Sequence, residues 1–94
     1  KLMGSEDHFH IRISKNNVGK NRFIFIISGK IIKKAVSRNK IRRRAREILR
    51  KKMKDIKKGN DLTFIFKKGA EEQSYEALER EISAILEERQ LIKK

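Results

Sequence analysis

Seven residues in one stretch carry the clearest chemistry in this sequence of 94: Arg38, Asn39, Lys40, Arg42, Arg43, Arg46 and Arg50. A planar guanidinium pairs with phosphate oxygens through two parallel hydrogen bonds and stacks on bases, which a lysine ammonium does less well. Wound as a helix, Asn39, Arg42, Arg43, Arg46 and Arg50 fall in one sector about 100° wide, beside an apolar stripe and with no acid among them. A solvated helix face is the plainer reading of a charge run. Such faces interleave glutamate with their cations, whereas fifteen basic residues from Lys30 to Lys58 meet only Glu47 and Asp55 here. An array so repulsive in isolation calls for a polyanion to lie against it.

No competing chemistry is legible. The absence of cysteine excludes a disulfide framework, a thiolate zinc site and a thiol nucleophile, and it fits a reducing compartment such as the cytoplasm. His8 and His10, two apart on one strand face, would make half a metal site, but no third ligand is near in sequence. Gly29-Lys30 fails as a phosphate loop, because Ile24 stands where the first glycine belongs and Ile31 follows the lysine. Glu72, Glu76 and Glu79 read as a solubilising face rather than a metal nuclease, since no carboxylates converge. No catalytic residue and no protein-held metal is therefore assigned.

The elements that must position the arginines follow from periodicity. His8 to Ser14 alternates strictly, with Phe9, Ile11 and Ile13 on one face, and predicts a half-buried strand. Lys15 to Asn21 holds Asn16, Asn17 and Gly19, which predicts a hairpin turn. Phe23 to Ile27 is apolar on both faces and so predicts a central strand covered on each side, or, if no further element covers it, one with an open apolar face for RNA or another chain to hide. From Ser37 to about Ile56, apolar residues recur at steps of three and four through Ile41, Ala45, Ile48, Leu49 and Met53, which predicts a long amphipathic helix ended by Gly59. Leu62 to Phe66 predicts another strand, and Ser74 caps a last helix with Tyr75, Leu78, Ile82, Ile85 and Leu86 on its apolar side. The fold class is α/β, an α+β sandwich with a mixed sheet in the order ββαβα. Phe23, Phe25, Phe64 and Phe66 are assigned to its core.

Residues 1–94 suffice for one domain, with no repeats, linkers or proline. The net charge of +14 again points to nucleic acid. It sits unevenly, because from Glu71 to Lys94 seven glutamates outnumber Arg80, Arg89, Lys93 and Lys94. No apolar run reaches the length of a membrane span, and the sequence from Lys1 to His8 lacks the apolar stretch of a signal peptide. Since the sequence starts at Lys1, a processed or partial chain is expected.

The segment Lys34-Ala-Val-Ser-Arg-Asn-Lys-Ile-Arg-Arg-Arg-Ala-Arg-Glu47 closely resembles the RNR signature of the bacterial ribonuclease P protein family. Ala35, Val36, Arg38, Asn39, Lys40, Ile41, Arg42, Arg43 and Arg46 occupy the positions of its pattern. The strand from Asp61 to Lys68 and Ser74-Tyr75-Glu76 also resemble the family. The resemblance implies a small sandwich in which the RNR helix connects two parallel strands by a left-handed crossover, against the general rule. It implies that a catalytic RNA, with Mg2+ held mainly by that RNA, hydrolyses precursor tRNA at the 5′ end of the mature tRNA. The protein assists as one copy in a 1:1 ribonucleoprotein, with the RNR helix on the RNA and the single-stranded 5′ leader in a cleft by the sheet.

Two departures qualify the resemblance. The family normally begins with a helix whose Phe residues line the leader cleft, and Ser5-Glu6-Asp7-His8-Phe9 resembles it only faintly, so either the chain is truncated or the cleft is built differently. Where the first strand usually offers an aromatic to the leader, His10 and Arg12 stand instead; both residue types stack on bases. Lys68 matches a basic residue at the cleft end of its strand. The leader contacts implied are therefore His10, Arg12 and Lys68. Two other functions compete: a ribosomal or other structured-RNA-binding protein, and a polybasic membrane-surface protein. The second would need bulky apolar residues beside its cations, whereas Ala45, Ile48 and Leu49 are sized for packing on a sheet.

Overall fold

In the computed structural model, which describes residues 8–92, the alternating segment forms β1, Phe9–Lys15. The doubly apolar run forms β2, Arg22–Ile26, and the third run forms β3, Asn60–Phe66. Between β2 and β3 lies α1, Ala35–Lys52, and the last element is α2, Tyr75–Glu88. Ser74 caps α2 as expected, its Oγ accepting the Ala77 N–H at 3.1 Å. The ββαβα order and the mixed sheet agree with the sequence reading.

The pairing does not. The sheet order is β1-β3-β2, so β1 and β2 form no hairpin, and β3 rather than β2 is the central strand. Antiparallel pairing sets Phe9 against Phe66 and Ile13 against Leu62; parallel pairing sets Phe23 beside Leu62 and Phe25 beside Phe64. Asp61, at the start of β3, supplies a physical reason. Its Oδ1 accepts hydrogen bonds from Asn16 Nδ2 and Arg22 Nε, both at 2.8 Å, and its Oδ2 accepts one from Arg22 Nη2 at 2.9 Å. One carboxylate thus ties the end of β1 and the start of β2 to the strand between them. The Asn16 N–H donates to the Gly59 carbonyl and the Asn60 N–H to Asn21 Oδ1, so the six-residue connection is pinned across β3. Strands lie about 4.8 Å apart, and six residues easily step over one of them.

One face of the sheet carries the core. Phe9, Ile11, Leu62, Phe64 and Phe66 are buried there against Ile41, Ala45, Ile48 and Leu49 of α1 and Leu78, Ile82, Ile85 and Leu86 of α2. Each fully buried Phe, Leu or Ile among them contributes about 1.5–3 kcal/mol of transfer free energy. Phe64 and Phe66 are core residues as expected, while Phe23 and Phe25 on the edge strand are only partly buried.

The other face has no covering layer among the described residues. Ile24 and Ile26 remain 43% and 46% exposed, so among the described residues the uncovered-face alternative holds rather than cover on both sides of β2. Their apolar character reflects an open sheet surface rather than a second core.

Two local expectations also change. The α-helix ends at Lys52 and tightens into a 3₁₀ turn over Met53–Asp55, leaving Ile56 bridged to Ile92. Gly59, with φ of +93°, serves the turn into β3 and does not terminate the helix. His8 precedes β1 and is taken up by α2, its Nδ1 lying 2.9 Å from Glu81 Oε2, while His10 lines the groove described below. Residues Ser5 to Asp7, where the sequence faintly resembles the family's first helix, lie outside the described residues.

Candidate RNA interface

The basic residues of α1 divide into two sets by what lies beside them. Toward α2, Arg44 Nη1 donates to the Gln73 carbonyl at 2.9 Å, Lys51 stands 5.5 Å from the Tyr75 ring centre, and Lys52 lies 3.7 Å from Glu79. These cations hold the two helices together. On the other side, Arg42, Arg43, Arg46 and Arg50 pair with no carboxylate among the described residues. Asn39 Oδ1 accepts a long hydrogen bond, 3.5 Å, from Arg42, and Lys40 is half-buried. Arg43, Arg46 and Arg50 surround a shallow depression whose further wall is Glu47, so one carboxylate bounds the arginine sector.

Arg46 is also placed by the sheet. Its guanidinium carbon lies 5.9 Å from the centre of the Phe25 ring, within cation–π range. The partial exposure of Phe25 has a use here: the edge of β2 and the arginine face of α1 form one continuous surface.

Arg38 stands apart from its neighbours. Its Nη1 donates to the carbonyls of Ile32 and Lys33 at 2.8 and 2.9 Å, fixing the segment that leads into α1. The same segment is turned by Ser28, whose carbonyl accepts from the N–H groups of Ile31 and Ile32 and whose Oγ accepts from Lys30 N–H. α1 has Lys34 at its N-cap, with no side-chain capping bond and no acid in its first turn. Lys33, Lys34 and the positive end of the helix dipole therefore add rather than cancel, a favourable place for an anion.

The segment fixed by Arg38 walls a groove of about 810 Å³ at the N-terminal end of α1. His10 and Lys68 both line it, so the fold brings together two of the three predicted leader residues. Arg12 lies one row along the open face, opposite Thr63, which in turn neighbours Ile24. Sequence reasoning missed Lys30, Ile31, Lys33 and Lys67, which line the groove together with Ile65 and Phe66 of β3. Their signal was the Ser28-Gly29-Lys30 turn, legible only as a failed phosphate loop. The register His10, Ile65, Ile26 sets an imidazole beside two aliphatic side chains on the open face, a surface on which a base can stack.

Among the described residues, no three of His, Cys, Asp and Glu gather as a metal site, and no helix is long and apolar enough to cross a membrane. His8 and His10 are separated as described above. Asp61 belongs to the frame: hydrogen bonds from Arg22 and then Asn16 hold its carboxyl below the usual carboxylate range, and Asp61 in return holds the Arg22 guanidinium above its own.

Residues 4–90 match the sequence profile of the Ribonuclease P family. The chain belongs to that family. A ribonuclease P protein component from Microcystis aeruginosa is 38% identical over 68 residues, covering 72% of this chain and 57% of the relative. One from Syntrophomonas wolfei is 35% identical over 72 residues, covering 77% and 60%. The chain thus spans less than two thirds of the length of these curated relatives. The ribonuclease P protein of Thermotoga maritima superposes with a TM-score of 0.79 at 26% identity, over 88% of this chain and 78% of that one. The Staphylococcus aureus protein shares the fold, with a TM-score of 0.79 at 23% identity over 92% and 78%.

Proposed function

We propose that this chain is the protein subunit of a ribonuclease P ribonucleoprotein. The observation that carries the reading is the set of arginines on α1 that have no carboxylate partner among the described residues, within a sequence that fits the family's RNR signature. Arg42, Arg43, Arg46 and Arg50, with Asn39 and Lys40, bind phosphates of the catalytic RNA. Arg38 acts mainly by holding the groove wall, with its remaining donors turned to the same RNA. His10, Arg12 and Lys68 bind the 5′ leader of precursor tRNA, the bases against the open face and the phosphates against the lysines. The RNA, with its Mg2+, performs the hydrolysis in the cytoplasm, and one protein serves one RNA.

Competition binding tests this reading. Bacterial ribonuclease P RNA should displace a labelled copy of itself from the protein far better than an equal mass of ribosomal RNA fragments. With the catalytic RNA bound, precursor tRNA carrying a leader of several nucleotides should bind more tightly than mature tRNA. Equal competition by both RNAs, with no leader dependence, would favour a general structured-RNA-binding protein instead.

A further inference from the structure

The end of the molecule opposite the groove carries a second concentration of charge that the arginine face does not include. The C-terminal end of α1, the end of β1 and the starts of β2 and β3 meet there. Lys15 from β1, Lys20 from the connection, Lys54 from the 3₁₀ turn, and Lys57 and Lys58 from the segment before β3 are all exposed. None of the five makes an ion pair among the described residues; of the acids at this end, Asp55 lines one of the hollows and Asp61 is taken up by Arg22 and Asn16. Three adjoining concavities share Lys58 as a wall: one with Lys54 and Lys57, one with Lys15 and Asn60, and one with Lys20 and Met53.

Helix-dipole compensation does not account for this cluster. Arg50, Lys51 and Lys52 already occupy the last turn of α1, and Lys15 and Lys20 belong to other elements. The frame beneath them is also rigid. Asp61 fastens Asn16 and Arg22, Asn60 is fastened to Asn21, the Asn16 N–H donates to Gly59, and the Lys57 N–H donates to the Leu91 carbonyl. The frame fixes where these five side chains leave the backbone, so their ammonium groups share one end of the molecule and an extended polyanion gains from every one of them.

We infer that this lysine pole is a second docking surface for the phosphate backbone of RNA, occupied by a segment of the catalytic RNA distinct from the one under α1. The inference rests on the proposed function. The assignment to the catalytic RNA follows from position: the groove proposed for the leader lies at the other end of α1, whose 18 residues span ~27 Å. The exposed cations here are mainly lysines, with Arg22 on the same lining taken up by Asp61 and Arg89 beside Lys15, a composition that fits contact with the RNA backbone more than base reading. The protein then bridges two RNA segments instead of resting on one.

The test uses Lys57→Gln with Lys58→Gln, whose side chains make no hydrogen bond or ion pair among the described residues, beside Arg42→Ala with Arg46→Ala, each measured with full-length ribonuclease P RNA. The lysine pair should lower affinity on the order of tenfold at moderate salt and flatten the log–log salt slope by about two units. Hydroxyl-radical footprinting should lose one protected RNA segment in the lysine variant and a different one in the arginine variant. Unchanged thermal melting of the lysine variant confirms that it is folded. A wild-type footprint confined to one segment, or lysine variants with unaltered slope while the arginine pair weakens binding, overturns the pole and leaves the proposed function standing. Absence of wild-type binding to the RNA overturns both. Retention on anionic vesicles, lost in the lysine variant while RNA binding is unaltered, overturns the pole in favour of a membrane surface.

Discussion

The guanidinium carbon of Arg46 on α1 stands 5.9 Å from the centre of the Phe25 ring on β2. This contact joins the arginine face to the sheet edge and restricts a long side chain that the proposed function assigns to RNA. A preplaced arginine loses less rotamer freedom on binding than one free in solvent. At an exposed site the contact itself is worth only about 0.5–1 kcal/mol. Its larger effect is on the geometry of the interface.

Replacing Arg42 and Arg46 together by alanine should reduce the salt dependence of RNA binding by about two units in the log–log slope, one for each phosphate that no longer meets a guanidinium. Affinity measured from low to moderate salt checks this. An unaltered slope would mean that α1 faces solvent in the complex.

Arg38→Ala should behave differently from Arg43→Ala. Arg38 holds the Ile32 and Lys33 carbonyls, so its loss should cost about 1–2 kcal/mol of stability and loosen the groove wall. Arg43 is exposed and should cost almost no stability. Paired melting and leader-binding measurements should show Arg38→Ala weakening leader discrimination and Arg43→Ala weakening only affinity for the catalytic RNA.

Stability should fall in acid through Asp61. Its folded-state carboxyl titrates below its unfolded value of about 4, so its contribution is present above that value and is lost as pH falls through the folded-state value. Asp61→Asn removes this component. The difference in melting temperature between the wild type and Asp61→Asn should therefore be largest near neutrality and shrink below pH 4. A constant difference would place the acid sensitivity elsewhere.

Free of RNA, the chain should gain structure from sulfate or phosphate. The repulsion among fifteen basic residues from Lys30 to Lys58 is set against only ~5–10 kcal/mol of net stability in a domain of this size. Anions that bind only the folded state stabilise it by mass action. Circular dichroism titrated with sulfate at low ionic strength should show rising ellipticity and a rising melting temperature. Full ellipticity at low salt, with melting indifferent to sulfate, would contradict the repulsion argument.

Element types were legible because each carried its own period: two in β1, three and four in α1 and α2. Strand partners were not, because alternation shows which face of Phe9, Ile11 and Ile13 is buried but not which strand lies beside them. The deciding residue, Asp61, is 45 positions from Asn16, and an acid followed by an apolar run reads as the end of a turn. β2 left two readings open for a related reason, since an apolar run looks the same whether a second layer covers Ile24 and Ile26 or leaves them exposed. The arginine sector of α1 was legible from angular spacing alone. The separate work of Arg38 and Arg44 was not, because their acceptors are backbone carbonyls, which leave no trace in side-chain identity. The groove was half legible: His10 and Lys68 came through family resemblance, whereas Lys30 and Lys33 reach it only through the turn at Ser28.

The most direct measurement of the central claim is precursor tRNA cleavage reconstituted from this chain and a bacterial ribonuclease P RNA at low magnesium. The protein alone should give no cleavage, the RNA alone should be slow, and the two together should cleave many times faster at the 5′ end of the mature tRNA, with the gain abolished in the Arg42→Ala, Arg46→Ala variant. Cleavage by the repurified protein without RNA, or no stimulation of the RNA by a protein shown to be folded, would contradict the account.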